Sequence, residues 1–112
     1  MNEVDLTTFA AAHADGGFVL DVREPFEYVA GHIPGARMLP MGQLPLHADE
    51  LPRTEPVYVV CATGNRSLAA ADFLIRRGIR AYSVAGGTGA WQRSGRPVAS
   101  GRPASAASRT RI

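Results

Sequence analysis

Val57-Tyr58-Val59-Val60-Cys61-Ala62-Thr63-Gly64-Asn65-Arg66-Ser67, followed by Leu68-Ala69-Ala70-Ala71-Asp72-Phe73-Leu74-Ile75, reads as strand, short loop and helix. The valine-rich start fits a buried strand, and the single cysteine of the protein stands at its end. The spacing predicts a helix over Ser67 to Arg77. Leu68, Ala71, Phe73, Leu74 and Ile75 would line one side, and Gly78 would stop it. Ser67 is the expected cap. A thiolate at Cys61 would then face the loop amides and the positive end of the helix, which makes this cysteine the candidate reactive group.

Working outward, the flanking segments alternate between helix and strand. Asp5 can cap a first helix through about Ala14, where Asp15-Gly16-Gly17 breaks it. Phe18 to Val22 is a short apolar run bounded by turns, the signature of a buried strand. Glu24-Pro25 opens a short helix, since proline suits the first turn, and Gly31 to Gly35 ends it. Ala36 to Leu39 is a candidate short strand. Met41 to Leu51 is weakly helical, with Pro45 forcing a kink or a break. Ala81 to Val84 is a further strand, and Gly86-Gly87 turns the chain into a last helix holding Trp91. This alternation predicts an α/β fold of three layers: a central, mainly parallel sheet with helices on both faces. Ligands of such sheets bind beyond the carboxyl ends of the strands, where Asp21 and Cys61 stand.

Composition bounds the function. A chain of 112 residues makes one domain with a modest core. Its twelve basic residues are all arginine, for a formal net charge of +2. Four of them (Arg96, Arg102, Arg109 and Arg111) follow Gly95, where there is no Asp or Glu. The excess positive charge is therefore a property of the tail and no argument for a nucleic-acid partner. The expected division is a folded domain over 1–100 and a basic, flexible tail over 101–112. Met1 to Asp5 has no basic start and no apolar run, so no leader is expected, and no stretch reaches membrane-spanning length. A lone cysteine without a disulfide partner fits a reducing, cytoplasmic setting. His13, His32 and His47 have no metal-ligand spacing with one another or with Cys61, so neither a metal nor another cofactor is expected.

Three blocks carry a resemblance. Leu20-Asp21-Val22-Arg23-Glu24-Pro25-Phe26-Glu27-Tyr28 with Gly31-His32-Ile33-Pro34-Gly35-Ala36 is the first. Cys61-Ala62-Thr63-Gly64-Asn65-Arg66-Ser67 is the second. Gly86-Gly87 with Trp91 and Gly95-Arg96-Pro97-Val98 is the third. In that order and separation they resemble the single-domain rhodaneses, thiosulfate sulfurtransferase-like proteins, over most of residues 3–98.

The resemblance implies that Cys61 attacks a sulfane sulfur donor such as thiosulfate, becomes a persulfide, and yields the outer sulfur to cyanide or a thiol. Ala62, Thr63, Gly64, Asn65, Arg66 and Ser67 would be the substrate-binding loop, with backbone N–H groups ringing the sulfur. Gly64 permits a tight curl through positive φ. Arg66 would either hold sulfonate oxygens or brace the loop, and the sequence leaves both open. Asp21, Arg23 and Glu27 are expected to support the site. Asp21 would tie loops together, and Arg23 and Glu27 would pair with each other or with Arg66. Expected partners are small sulfur donors, thiol acceptors and a possible protein acceptor, with no membrane. An alternative is a persulfide carrier or sulfur- or redox-sensing module serving a protein partner.

Without the Gly64, Arg66 and Ser67 context, Cys61 would read as a small buried hydrophobe. Tyrosine and dual-specificity phosphatases place five residues between Cys and Arg, whereas here only Ala62, Thr63, Gly64 and Asn65 intervene, so phosphatase or arsenate reductase activity ranks below sulfur transfer. The shorter ring suits one sulfur atom and crowds a tetrahedral phosphate.

Overall fold

The computed structural model describes residues 2–102. A five-stranded sheet runs through the centre in the order β1-β5-β4-β2-β3, with every pairing parallel. The strands are β1 (Glu3–Val4), β2 (Phe18–Asp21), β3 (Arg37–Met38), β4 (Val57–Val60) and β5 (Ala81–Val84). The helices are α1 (Leu6–Ala14), α2 (Pro25–Ala30), α3 (Leu44–His47), α4 (Asn65–Arg76) and α5 (Gly87–Arg93). Short 3₁₀ turns at Met41–Gln43 and Ala48–Glu50 flank α3, so the Met41 to Leu51 stretch is broken as Pro45 requires.

Two cores follow from the two-residue period of the strands. On one face Leu20, Val57, Val59, Cys61 and Ala81 meet Leu44 and Ala48 near α3 and Ala70, Ala71 and Leu74 of α4. On the other, Val19, Val60 and Val84 meet Phe9 of α1, Tyr28 of α2 and Trp91 of α5. The alternation of Val59 and Val60 between the cores places β4 in the middle of the molecule. Cys61 follows at its carboxyl end, flanked by β2 on one side and β5 on the other.

Three local details differ from the sequence reading. β1 carries too few residues to show a period, yet it pairs with Ser83 and Val84. Helix α4 begins at Asn65, two residues early, and its N-cap is Gly64 rather than Ser67. Its buried face is Ser67, Ala70, Ala71 and Leu74, while Leu68 is exposed. The larger apolar residues mislead here because the helix approaches the sheet on its small side chains, which brings Ser67 down to the strand ends.

The segment after α5 folds back across the molecule. Trp91 Nε1 donates to the Pro97 carbonyl at 2.7 Å. Ala99 exchanges two 2.8 Å backbone bonds with His32, and the Gly101 N–H donates to the Val29 carbonyl. Most of the expected flexible tail, residues 103–112, lies outside the described residues. Among the described residues no helix is long and apolar enough to cross a membrane.

Candidate active site

Cys61 is buried at the floor of the loop that joins β4 to α4. Gly64 adopts φ +107°, a left-handed conformation that turns the chain sharply into the helix. A Cβ there would sit 3.2 Å from the Gly86 nitrogen, so the position is also tight for a side chain. The turn aims two amides at the sulfur. The Gly64 N–H donates to Cys61 Sγ at 3.0 Å and the Ser67 N–H at 3.3 Å. The Ser67 hydroxyl lies 3.4 Å from the same sulfur.

The loop is held from behind by the start of α5. The Thr88 N–H donates to the Cys61 carbonyl at 2.8 Å, and the Gly89 N–H donates to the Ala62 carbonyl at 3.0 Å. These are helix-start amides that would otherwise lack partners. In a trans peptide the N–H lies opposite the carbonyl. Holding those two carbonyls against α5 therefore turns the Ala62 and Thr63 amides away from it. Gly87 makes this contact possible, because it has φ +58° and a Cβ on it would overlap the Cys61 carbonyl oxygen.

The electrostatic result favours a thiolate. Burial raises the Cys61 pKa, but the Ser67 hydroxyl and the amides of Ser67, Gly64 and Thr63 outweigh it, and the thiol is held below its ordinary value. The sulfur thus sits among donors fixed before any charge develops, which suits a nucleophile and its anionic product.

Two ion pairs surround the loop. Arg66 Nη1 and Nη2 donate to the two carboxylate oxygens of Glu27 at 2.8 and 2.9 Å. That bidentate pair pulls the Glu27 pKa down to about 2 and pushes the Arg66 pKa up. Arg23 takes a different partner from those expected. It pairs with the fully buried Asp21 through Nε (2.9 Å) and Nη2 (2.8 Å), and it also donates to the Gly31 carbonyl. Asp21 thereby joins the end of β2 to the end of α2, the span that presents Glu27. The reason lies in local geometry: the Arg23 N–H also donates to Asp21, closing a compact turn that keeps both side chains buried.

The remaining loop residues line the mouth: Thr63 and Asn65 are exposed and Ala62 is half-buried. His32 stacks on Tyr28 at 3.7 Å and bonds its carbonyl, and His13 packs against Trp91 and bonds the Pro34 carbonyl. Among the described residues no group of three or more His, Cys, Asp or Glu side chains forms a metal-binding cluster.

The sequence reading passed over Ser83 and the Thr88–Gly89 amides. Ser83 is buried in β5 and lies 2.7 Å from the Ser67 hydroxyl. Its signal was a polar residue at an inward position of an otherwise apolar strand. The role of the Thr88 and Gly89 amides left no mark in side-chain identity.

Comparison with known proteins agrees with this geometry. The family described as the rhodanese-like domain matches residues 5–94. A protein named Sulfurtransferase from Allochromatium vinosum is 37% identical over 101 residues, covering 88% of this chain and 94% of that one. The crystal structure of a rhodanese-related protein from Thermoplasma volcanium superposes with a TM-score of 0.83 at 34% identity, covering 88% of this chain and 98% of that one. A rhodanese-like domain protein from Staphylococcus aureus superposes with a TM-score of 0.76 at 31% identity, covering 81% and 91% of the two chains. The strand-end cysteine, its amide-lined loop and the matched span together place this chain in the rhodanese-like domain family, among the sulfurtransferases.

Proposed function

We propose that the protein transfers sulfane sulfur from a donor such as thiosulfate to a thiol or cyanide acceptor through a persulfide on Cys61. The observation that carries this reading is the convergence of the Gly64 and Ser67 amides and the Ser67 hydroxyl on one buried sulfur. In the first step the Cys61 thiolate attacks the outer sulfur of thiosulfate. A bond forms between Sγ and that sulfur, and the donor's S–S bond breaks with its electron pair leaving on sulfite. In the second step an acceptor thiolate or cyanide attacks the outer sulfur, and the electron pair of the persulfide bond returns to Sγ. Neither step needs a protein acid or base once Cys61 is ionised. The loop amides stabilise the anion before and after transfer.

In this reading Asp21, Arg23 and Glu27 hold the frame, and Arg66 braces the loop. The guanidinium is already committed to Glu27 in a two-point contact, so it adds little free positive charge at the mouth. The same commitment, with the four-residue spacing from Cys61, speaks against a phosphate cradle. A free thiol also suits a cytoplasmic setting.

A second reading, a carrier that hands persulfide to a protein partner, draws support from exposed apolar residues beside the site. Phe26 is 74% exposed next to Glu27, and Leu68 is exposed next to Ser67. The deciding experiment is mass spectrometry of the protein after thiosulfate treatment. One added sulfur on Cys61, discharged by cyanide and absent in a folded Cys61→Ser variant, is the expected result. Uptake by Cys61→Ser, or none by the wild type, overturns the proposal.

A further inference from the structure

Ser83 is a polar residue where the fold calls for an apolar one. It sits in β5 opposite Val59, on the sheet face it shares with Ala81, and it is fully buried. A hydroxyl in such a place is costly unless bonded. Among the described residues its one side-chain hydrogen bond is to Ser67 Oγ at 2.7 Å, and Ser67 Oγ is 3.4 Å from Cys61 Sγ. A sulfur and two hydroxyls therefore stand in a row from the site into the core.

The row has two proton arrangements. When a neutral thiol donates its S–H to Ser67, Ser67 donates to Ser83, and the Ser83 proton has no side-chain acceptor among the described residues. With a thiolate, both bonds reverse. Ser83 donates to Ser67 and Ser67 donates to Sγ, so each hydroxyl proton has a partner and the second bond is polarised by the first. From this asymmetry we propose that Ser83 is a positioning residue that acts through Ser67 to hold Cys61 as a thiolate. The inference rests on the reading of Cys61 as the sulfur nucleophile.

The charged groups gathered at the site lie elsewhere. They are Arg66 of α4 with Glu27 of α2, Glu24 before α2, and the Asp21–Arg23 pair after β2, and the neighbouring strand β1 adds the exposed Glu3, the register partner of Ser83. The start of α5, Gly87 to Ala90, carries none. Tyr82 of β5 faces the other side of the sheet, stacked on Tyr58 of β4. Changing Ser83 thus alters the hydroxyl row and leaves these charges in place.

The test is the pH dependence of iodoacetamide alkylation at Cys61 in the wild type, Ser83→Ala and Ser83→Thr, with thermal melts and sulfur uptake measured alongside. Ser83→Ala is expected to raise the alkylation midpoint by about half to one pH unit, the scale of one lost hydrogen bond in a row serving a charge. Ser83→Thr restores the hydroxyl and the midpoint. If the alanine variant does not fold, Ser83→Thr and Ser83→Val make the same comparison, since they differ in a hydroxyl against a methyl. An unchanged or lowered midpoint in the variant without the hydroxyl overturns the proposal. Failure of the wild type to take up sulfur overturns the transfer reading instead, and the midpoint comparison still decides the role of Ser83.

Discussion

Glu27 and Arg66, 39 positions apart in sequence, meet in two parallel bonds of 2.8 and 2.9 Å. The same Glu27 carboxylate accepts the Glu24 N–H at 2.9 Å, so one side chain closes the first turn of α2 and holds the start of α4. A helix that packs on one face of the sheet is thereby fastened to the first turn of a helix that packs on the other.

This fastening predicts an acid-sensitive contribution to stability. Arg66 draws the Glu27 pKa from 4.5 to about 2, against the opposing effect of burial. A carboxyl depressed in the folded state stabilises fully above its unfolded value and loses that contribution as pH falls through the folded value. The window is therefore pH 4.5 down to about 2. With Arg66 39% exposed, solvent screening keeps the pair's worth to about 1 kcal/mol. Urea titrations at falling pH should show Glu27→Gln less stable at neutral pH and converging on the wild type near the bottom of the window. Parallel curves would remove the pair from the stability balance.

Arg66→Ala should slow sulfur uptake from thiosulfate and from a neutral persulfide donor alike, by about 10- to 100-fold, the cost of a displaced nucleophile. A guanidinium spent on Glu27 holds the loop, and loop geometry serves every donor. Single-turnover rates with the two donors provide the check. A loss confined to the dianionic donor would mean that Arg66 meets the substrate directly.

Gly87→Ala should damage the site from behind. The new methyl would overlap the Cys61 carbonyl oxygen and fall 2.9 Å from Ala62 atoms, at a residue with φ +58°. Backbone strain alone is worth about 1–2 kcal/mol, and the overlap adds to it. Gly35→Ala is the matched control, with φ +82° and no atom within 4 Å of the added carbon. Melting temperatures should fall further for Gly87→Ala, and only that variant should raise the alkylation midpoint of Cys61. Equal effects would place the cost in φ and not in the contact with the loop.

Much of the fold was legible because its strands are buried on both faces and its turns are marked by glycine and proline. Val57 to Val60 and Ala81 to Val84 are read without ambiguity, and Asp5 does cap α1 by accepting the Thr8 N–H. What stayed hidden depends on tertiary approach. The stripe Ser67, Ala70, Ala71 and Leu74 is less apolar than its neighbours, and closeness to the sheet chose it over Leu68. The loop's geometry was visible in Cys61, Gly64 and Ser67, residue types with few other reasons to stand together. The choice of Asp21 over Glu27 as partner for Arg23 was not, since both carboxylates lie within reach along the chain. Backbone amides such as those of Thr88 and Gly89 carry no residue signature at all.

The sheet's outermost strands, β1 and β3, are two residues long apiece. An exposed rim of unpaired amides and carbonyls is a template on which another chain can extend a ladder. Here either rim offers so little ladder that a guest strand would gain only a bond or two, too few to offset the entropy of ordering it. The carboxyl end of the sheet can thus carry the Cys61 loop while the flanks resist edge-to-edge polymerisation.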